Sequence, residues 1–192
     1  METKTYTKTF SGSQFLIGVS GIIGAGKSTL TRMLSTKLGF DEVKEPVTEN
    51  PYLALFYSDQ AKYGFNMQIY LLNKRFRQHQ HMIWSTRSSV QDRTIYEDVI
   101  FAKMLHDSGK ITDLDFETYC ESFVNMTNFL HRPDAIVFLD VEPSIALERV
   151  KLRGRDCEKD LPLSYLESLQ AGYEDWLTDI GDRIPVIRID WN

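Results

Sequence analysis

The chain has 192 residues, of which 42% are hydrophobic, and a formal net charge of −5. This length suits one domain with a sizeable core, and the absence of a basic run argues against nucleic-acid binding through a positively charged surface. Two cysteines, no apolar run of about 18 residues and no signal-peptide core predict a cytoplasmic protein that does not bind or cross a membrane.

Strand and helix patterns alternate along the chain. Five short stretches predict strands, at residues 15–20, 40–46, 88–92, 135–140 and 184–190. Three-four spacing of apolar residues predicts helices between them, including a long helix from Tyr63 to Trp84. The alternation predicts an α/β fold with a five-stranded parallel sheet flanked by helices. We expect residues 1–14 to form a polar, flexible lead-in and residues 15–192 to form the domain.

Polar residues end four of the predicted strands. These residues are Ser20, Glu45, Asp92 and Asp140. Because the carboxyl ends of parallel strands meet at one edge of a sheet, we expect them to converge there and to put three carboxylates near one another.

A phosphate-binding motif follows the first strand. The stretch GIIGAGKST matches G-x-x-x-x-G-K-[ST] and lies between a strand and a helix, as that motif requires. Its backbone N–H groups would cradle phosphates, Lys27 would reach the outer phosphates, and the Ser28 hydroxyl would bind Mg²⁺. The expected phosphate-binding residues are Gly21, Gly24, Ala25, Gly26, Lys27, Ser28 and Thr29. The alternative is a glycine-rich turn without a ligand.

Glu45 suggests what receives the phosphoryl group. Pro46 restricts the preceding residue to extended conformations and ends the second strand. A carboxylate beside a phosphate site can accept the proton of an attacking hydroxyl, but it would repel an acceptor that already carries a phosphate. Glu45 therefore favours a nucleoside or sugar acceptor, although taken alone it reads as a solvated acid at the end of a strand.

Two further segments carry charges suited to phosphoryl transfer. Asp92 could hold Mg²⁺ through water, and Arg93 could bind a phosphate or the attacking oxygen. Arg149 and Arg153 lie one helical turn apart, and Arg155 follows Gly154, which indicates a short arginine-rich lid. The alternatives are a surface Asp–Arg pair and a solvated charged loop.

Six stretches together resemble the deoxynucleoside kinase family, which includes deoxycytidine, deoxyguanosine and bacterial deoxyadenosine kinases. They are GIIGAGKST, KEPV, FNMQIYLLNKRF, QDRTIYED, RVKLRGRDCE and LPLSYLESL, and they extend from about Phe15 to Asp190. The first is common among phosphate-binding proteins, whereas the ordered set is specific. The resemblance implies a single P-loop kinase domain, often homodimeric, that uses ATP and Mg²⁺ to phosphorylate the 5′-hydroxyl of a deoxynucleoside in nucleotide salvage.

The same resemblance implies roles for individual residues. Glu45 is similar to the acid that takes the proton of the 5′-hydroxyl, Arg93 to its partner, and Asp92 to the acid near Mg²⁺. Gln68 and Arg75, two helical turns apart, resemble the base-site pair. The three arginines of the predicted lid resemble the family's lid arginines.

Sugar and base contacts are implied less uniformly. Tyr57 and Glu158 resemble the pair at the sugar 3′-hydroxyl, which leaves little room for a 2′-hydroxyl. Phe101 resembles an aromatic residue of the base site, but it lies only three residues beyond Asp98, one fewer than in family members. Either Glu97 or Asp98 could therefore face the base.

The preferred base is inferred from two features. The Gln68 amide matches the donor and acceptor that adenine presents, and it also matches cytosine. The stretch EPVTENPYLALFY resembles the purine-preferring bacterial branch. We therefore predict deoxyadenosine first, deoxyguanosine or deoxycytidine second, and thymidine last. A nucleoside monophosphate kinase and a non-catalytic nucleotide switch are the alternatives, and the lack of switch-like loops with a water-orienting glutamine argues against the switch.

Overall fold

The computed structural model describes residues 14–46 and 50–192. The predicted lead-in lies outside these residues except for Gln14, whose side-chain amide donates to the carbonyls of Met82 and Arg87. Residues 47–49, within the stretch EPVTENPYLALFY, also lie outside them. The division into lead-in and domain therefore stays a prediction.

Five parallel strands form one sheet, which confirms the predicted α/β class. The strands are β1 Leu16–Ser20, β2 Asp41–Val43, β3 Ser89–Asp92, β4 Ala135–Asp140 and β5 Val186–Asp190. Their order in the sheet is β2-β3-β1-β4-β5, so β1 is central and the chain crosses to opposite sides of it. Ligands of such sheets bind beyond the carboxyl end of the strands at this crossing point. The segment after β1, which holds the P-loop, begins there.

Seven helices lie in the described parts of the chain. They are α1 Lys27–Leu38, α2 Leu53–Ser58, α3 Gln60–Trp84, α4 Asp98–Asp107, α5 Asp113–Thr127, α6 Pro143–Arg153 and α7 Leu163–Gly181. Single 3₁₀ turns precede α4 and α7, at Ile95–Glu97 and Asp156–Glu158. None of the helices in the described residues has the length and apolar character needed to span a bilayer.

The core forms where the central strands meet the helices. Val19 of β1 and Phe138 of β4 are completely buried in one cluster with Leu166 and Leu169 of α7. Inward-facing apolar residues of a parallel sheet are covered from both sides in this way. The core fixes the carboxyl ends of β1, β3 and β4, and these ends support the site.

The long helix α3 differs from its prediction in two ways. It begins at Gln60, three residues early, because the Asp59 side chain accepts a hydrogen bond from the Lys62 amide and caps the first turn. Its buried side also includes Gln68 and Arg75, which are only 3% and 2% exposed. These two polar side chains therefore do not lie on an exposed flank of the helix. Buried polar groups require partners, and theirs lie in the candidate site.

Candidate active site

A cavity of about 610 Å³ opens at the carboxyl edge of the sheet. Its volume falls within the range usual for small-molecule sites. Most of the residues predicted to bind phosphate, metal or acceptor line it: Gly24, Gly26, Lys27, Ser28, Thr29, Glu45, Tyr57, Gln68, Arg75, Asp92, Arg93, Phe101, Arg149, Arg153, Arg155 and Glu158. Residues distant in the sequence thus form one continuous surface.

Two predicted phosphate-binding residues lie behind this surface. Gly21 approaches β4 so closely that an added Cβ would lie 2.9 Å from the Leu139 carbonyl oxygen. Ala25 is completely buried. Asp140 does not line the cavity either, because its carboxylate pairs with Arg188 Nε at 2.7 Å. The expected convergence of three carboxylates was therefore wrong for Asp140 and right for the other two.

The P-loop backbone has the compact shape that its glycines allow. Gly26, the residue before α1, has φ of 91°, and Gly24 has φ of 86°. A Cβ on Gly24 would lie 2.3 Å from the carbonyl oxygen of Ala146 in α6. A larger residue at Gly24 would separate the loop from α6, so the sequence needs glycine there for packing as well as for backbone freedom.

Lys27 is buried at the start of α1. Its Nζ donates to the Ile22 carbonyl at 2.8 Å, so the ammonium spans the loop from inside. Burial, followed by the nearby Arg93 guanidinium, lowers the pKa of Lys27 to about 8. The ammonium group is therefore the main form below this pH.

Ser28 and Asp92 meet at the end of β3. The Ser28 hydroxyl donates to Asp92 Oδ2, and Asp92 Oδ1 is buried with no hydrogen-bond partner among the described residues. Burial raises the pKa of Asp92 above its ordinary value. A carboxylate oxygen without a partner next to a hydroxyl is a donor set that suits Mg²⁺. The described residues hold no cluster of three or more metal-binding His, Cys, Asp or Glu side chains, so a cation here would need additional oxygens from a phosphate.

Glu45 lies two residues beyond β2, because the strand ends at Val43 rather than at the predicted Pro46. Two buried guanidiniums contact the same oxygen of Glu45: Arg75 Nη2 at 2.8 Å and Arg93 Nε at 3.0 Å from Oε1. The carboxylate is 23% exposed. Burial alone would raise the pKa of Glu45, but the two guanidiniums outweigh burial and hold the pKa below its ordinary value. Glu45 is therefore ionised at neutral pH.

The sequence did not decide whether Glu97 or Asp98 faces the base, and the two carboxylates have different surroundings. Both oxygens of Glu97 accept hydrogen bonds from buried groups, namely Ser20 and the Thr94 amide on Oε1 and Arg93 and Tyr173 on Oε2. Neither Glu97 nor Asp98 lines the cavity.

Asp98 is connected to the cavity through Arg75. Its Oδ1 pairs with Arg75 Nη1, and its buried Oδ2 has no hydrogen-bond partner in the described chain. Burial, partly offset by Arg75, raises the pKa of Asp98 to about 7. Of the two carboxylates, Asp98 is thus the one that orients a cavity residue of α3.

Apolar walls complete the cavity around Gln68, and sequence reasoning missed them. Phe56 of α2 and both Met67 and Leu71 of α3 line the same cavity. Asn50 Nδ2 lies 3.1 Å from the Met67 sulfur and links the loop before α2 to this wall. The available signal was helical spacing, because Leu71 lies one turn beyond both Met67 and Gln68 on α3.

The opposite wall is formed where α2 meets the 3₁₀ turn before α7. Glu158 pairs there with Arg153 Nη2 and with Arg155 Nη1 at 3.2 Å. Burial, together with Tyr165 and Glu158, raises the pKa of Tyr57. Tyr165 also lines the cavity and was not singled out from the sequence, although it lies in the stretch LPLSYLESL. Tyr57 and Glu158 are therefore neighbours, as the resemblance implied.

The arginine-rich segment has a defined geometry. Helix α6 ends at Arg153, and Gly154 has a left-handed φ of 69°. Arg149 Nη2 donates to the Trp191 carbonyl at 2.9 Å, whereas its buried Nη1 has no hydrogen-bond partner in the described residues.

Five further cavity residues were not expected from the sequence: Ile23, Arg32, Glu42, Lys44 and Leu53. Three of these five are charged, so the mouth of the cavity is strongly polar.

Comparisons with known proteins agree with this geometry. The family model described as deoxynucleoside kinase matches residues 17–192. A deoxyadenosine kinase of Dictyostelium discoideum is 55% identical over 92% of this chain and 72% of its own length. A deoxyadenosine/deoxycytidine kinase of Bacillus subtilis is 38% identical over 91% of this chain and 81% of its own length. A solved structure of deoxyadenosine kinase from M. mycoides with bound dATP has a TM-score of 0.83 at 34% identity, covering 92% of this chain and 91% of that one. With its parallel sheet, its P-loop and these relatives, the chain belongs to the deoxynucleoside kinase family.

Proposed function

We propose that this kinase transfers the γ-phosphoryl group of ATP to the 5′-hydroxyl of a deoxynucleoside and prefers deoxyadenosine. One observation carries the proposal: the Glu45 carboxylate, paired with Arg93, lines the same cavity as the P-loop lysine. A proton acceptor and a phosphate site in one cavity are the two parts that phosphorylation of a hydroxyl requires.

Glu45 is the proposed general base. Its ion pairs to Arg75 and Arg93 both use Oε1, and the side chain is partly open to the cavity. The other oxygen, Oε2, can therefore accept the proton of a 5′-hydroxyl as that hydroxyl attacks phosphorus. The depressed pKa keeps Glu45 ionised before the reaction. Arg93 holds the carboxylate in place and lies close to the charge that develops on the attacking oxygen.

The P-loop is the proposed triphosphate site. Its N–H groups and the start of α1 provide partial positive charge, and the Lys27 ammonium adds a full charge at the transferring phosphoryl group. Ser28 and Asp92 would hold Mg²⁺ together with phosphate oxygens. Bound Mg²⁺ would neutralise charge on the phosphates. Arg149, Arg153 and Arg155 would add further positive charge from the lid.

The sugar is proposed to lie between Tyr57 and Glu158. Each can bond a 3′-hydroxyl, the tyrosine as donor and the glutamate side chain as acceptor. The apolar Phe56 next to this pair offers no partner to a 2′-hydroxyl, so a ribose would bury an unpaired polar group. We therefore expect deoxynucleosides to be favoured over ribonucleosides.

The base is proposed to lie against Gln68, between Phe101 and the apolar wall of α3. The Gln68 amide can pair with the donor and acceptor of adenine. Arg75, oriented by Asp98, can donate to a base acceptor, which would allow guanine as a second substrate. The relatives named for deoxyadenosine and deoxyguanosine support this purine preference. The proposed order remains deoxyadenosine, then deoxyguanosine or deoxycytidine, then thymidine.

A cytoplasmic homodimer is proposed as the working form. Helix α5 buries only Tyr119 in the described structure and exposes Leu114 and Val124, and Phe129 just beyond it is 93% exposed. An apolar helix surface of this kind is usual at a protein interface. Trp84, at the end of the long helix α3, is also 76% exposed. Light scattering across a concentration range should give twice the mass of one chain, and a single-chain mass at all concentrations would contradict the dimer.

A substrate panel tests the function. The enzyme is incubated with ATP, Mg²⁺ and each of the four deoxynucleosides, adenosine, the deoxynucleoside monophosphates, or no acceptor, and ADP release is followed. We expect the highest kcat/KM with deoxyadenosine and little ADP without acceptor. Release that depends on a monophosphate would indicate the alternative kinase class. Release without any acceptor would indicate a nucleotide hydrolase or switch.

A further inference from the structure

A buried carboxylate and a buried phenol contact Arg93 from outside the cavity. Glu97 and Tyr173 are both 0% exposed, and neither lines the cavity wall. Arg93 Nη1 donates to Glu97 Oε2 at 3.1 Å and to the Tyr173 hydroxyl, while Arg93 Nε faces Glu45 Oε1 at 3.0 Å. The guanidinium is thus held between a carboxylate of the cavity and a carboxylate behind it.

Glu97 is itself fixed to the strand that carries the P-loop. Its Oε1 accepts hydrogen bonds from the Ser20 hydroxyl at 2.8 Å and from the Thr94 amide at 2.9 Å. Ser20 is the last residue of β1, directly before the P-loop. The Tyr173 hydroxyl donates to the second oxygen of Glu97. Together with Arg93, Glu97 thus has four hydrogen-bond partners, all of them buried, and it has little freedom to move.

The backbone of Arg93 also needs support. Its φ is 64°, the left-handed region that residues with a Cβ rarely adopt. Such a conformation persists when surrounding contacts determine it, and it concentrates at functional sites. The Arg93 amide donates to the Val19 carbonyl at 3.0 Å, and the guanidinium carbon lies 4.8 Å from the centre of the Phe101 ring. The contacts with Glu97 and Tyr173 complete this set.

We infer that Glu97 and Tyr173 are positioning residues for Arg93, an inference that rests on the proposed role of Arg93 beside Glu45. They fix the direction of the guanidinium before substrate binds, which reduces the ordering needed in the transition state. Glu97 also shares the charge of Arg93. Without Glu97, the guanidinium would pair with Glu45 alone, and Glu45 would become a weaker base.

Two variants separate positioning from folding. Glu97→Gln keeps the shape of the side chain and removes its charge, and Tyr173→Phe keeps the ring that packs on Phe138. We expect kcat to fall by about 10- to 100-fold for Glu97→Gln and by about 3- to 10-fold for Tyr173→Phe. In both variants the KM values for ATP and deoxyadenosine should stay within about threefold of wild type, because neither residue contacts a substrate. Glu174→Gln, the same exchange at an exposed ion pair with Arg188, is the matched control and should match wild type.

A double-mutant cycle gives the decisive readout. In an Arg93→Ala background, Glu97→Gln and Tyr173→Phe should lower kcat by less than about twofold further, because the residue through which they act is gone. Equal fold-losses in both backgrounds would overturn the inference, as would unchanged kcat in the single variants. If Glu97→Gln does not fold, the Tyr173→Phe cycle decides alone. If the wild type is active and the Glu97→Gln and Tyr173→Phe variants have the same kcat, the positioning role is refuted and the proposed function is unaffected.

Discussion

Replacing Glu45 with glutamine isolates the proton-accepting role from the structural one. Glutamine has the shape of glutamate, and its carbonyl oxygen can still accept from Arg75 Nη2 and Arg93 Nε, now 2.8 and 3.0 Å from Glu45 Oε1. What disappears is the charge and the capacity to take a proton. Arg75 and Arg93 are buried but keep their ion pairs with Asp98 and Glu97, so the loss of the Glu45 charge should reduce stability by about 1 to 3 kcal/mol.

Glu45→Gln should strongly reduce turnover of the folded enzyme. Loss of a general base lowers turnover by roughly 10²- to 10⁴-fold, which corresponds to about 2.7 to 5.4 kcal/mol of transition-state stabilisation. The KM values for ATP and deoxyadenosine should stay within about threefold, because binding contacts remain. Steady-state kinetics of Glu45→Gln and of Glu42→Gln, an exposed carboxylate of the same cavity, provide the comparison. A kcat within about threefold of wild type would refute the general-base assignment.

Three other predictions follow from the same cavity. The pKa of about 8 for Lys27 implies that kcat/KM for ATP declines above that pH as the ammonium is lost, and a profile flat to pH 10 would contradict this lowered pKa. Gln68→Leu removes the paired donor and acceptor, so kcat/KM for deoxyadenosine should fall on the order of 10²-fold or more, while an unchanged value would exclude Gln68 from the base site. Tyr57→Phe should lower kcat/KM for deoxyadenosine about 10-fold but affect 2′,3′-dideoxyadenosine, which differs from it only by lacking the 3′-hydroxyl, less than about twofold, and equal losses would contradict the sugar contact.

The parts of the site that are local in sequence could be predicted well. GIIGAGKST places its ligand groups within nine consecutive positions, so the P-loop does not depend on long-range packing. The alternation of strands and helices also predicted the parallel sheet, because a helix between two strands allows them to run in the same direction. Asp92 and Glu45 could be placed at one edge from topology alone, since parallel strands share their carboxyl ends.

Positions that depend on the rotation of a helix or on one backbone angle could not be predicted. The apolar residues Phe65, Leu72 and Phe76 of α3 pack in one core cluster, as their spacing suggests. Gln68 and Arg75 are buried as well, and that burial could not be predicted. The polar face of this helix turns inward because it meets charged partners, and periodicity counts only apolar residues.

The choice between Glu97 and Asp98 shows the same limit. Adjacent residues of a helical turn point about 100° apart, so a shift of one residue exchanges their surroundings. The left-handed φ of Arg93 and the 3₁₀ turn Ile95–Glu97 set that register, and no sequence pattern indicated either. Asp140 was misplaced for a related reason, because its partner Arg188 lies on a strand 48 residues away.

The identity of the phosphorylated product tests the central claim most directly. The enzyme is given ATP labelled in its γ-phosphate together with deoxyadenosine and Mg²⁺, and the labelled product is identified by chromatography and mass spectrometry. Our prediction is that labelled deoxyadenosine 5′-monophosphate forms in equal amount to ADP, because Glu45 and the P-loop share one cavity. Label found only in inorganic phosphate, or only in a diphosphate made from an added monophosphate, would contradict it.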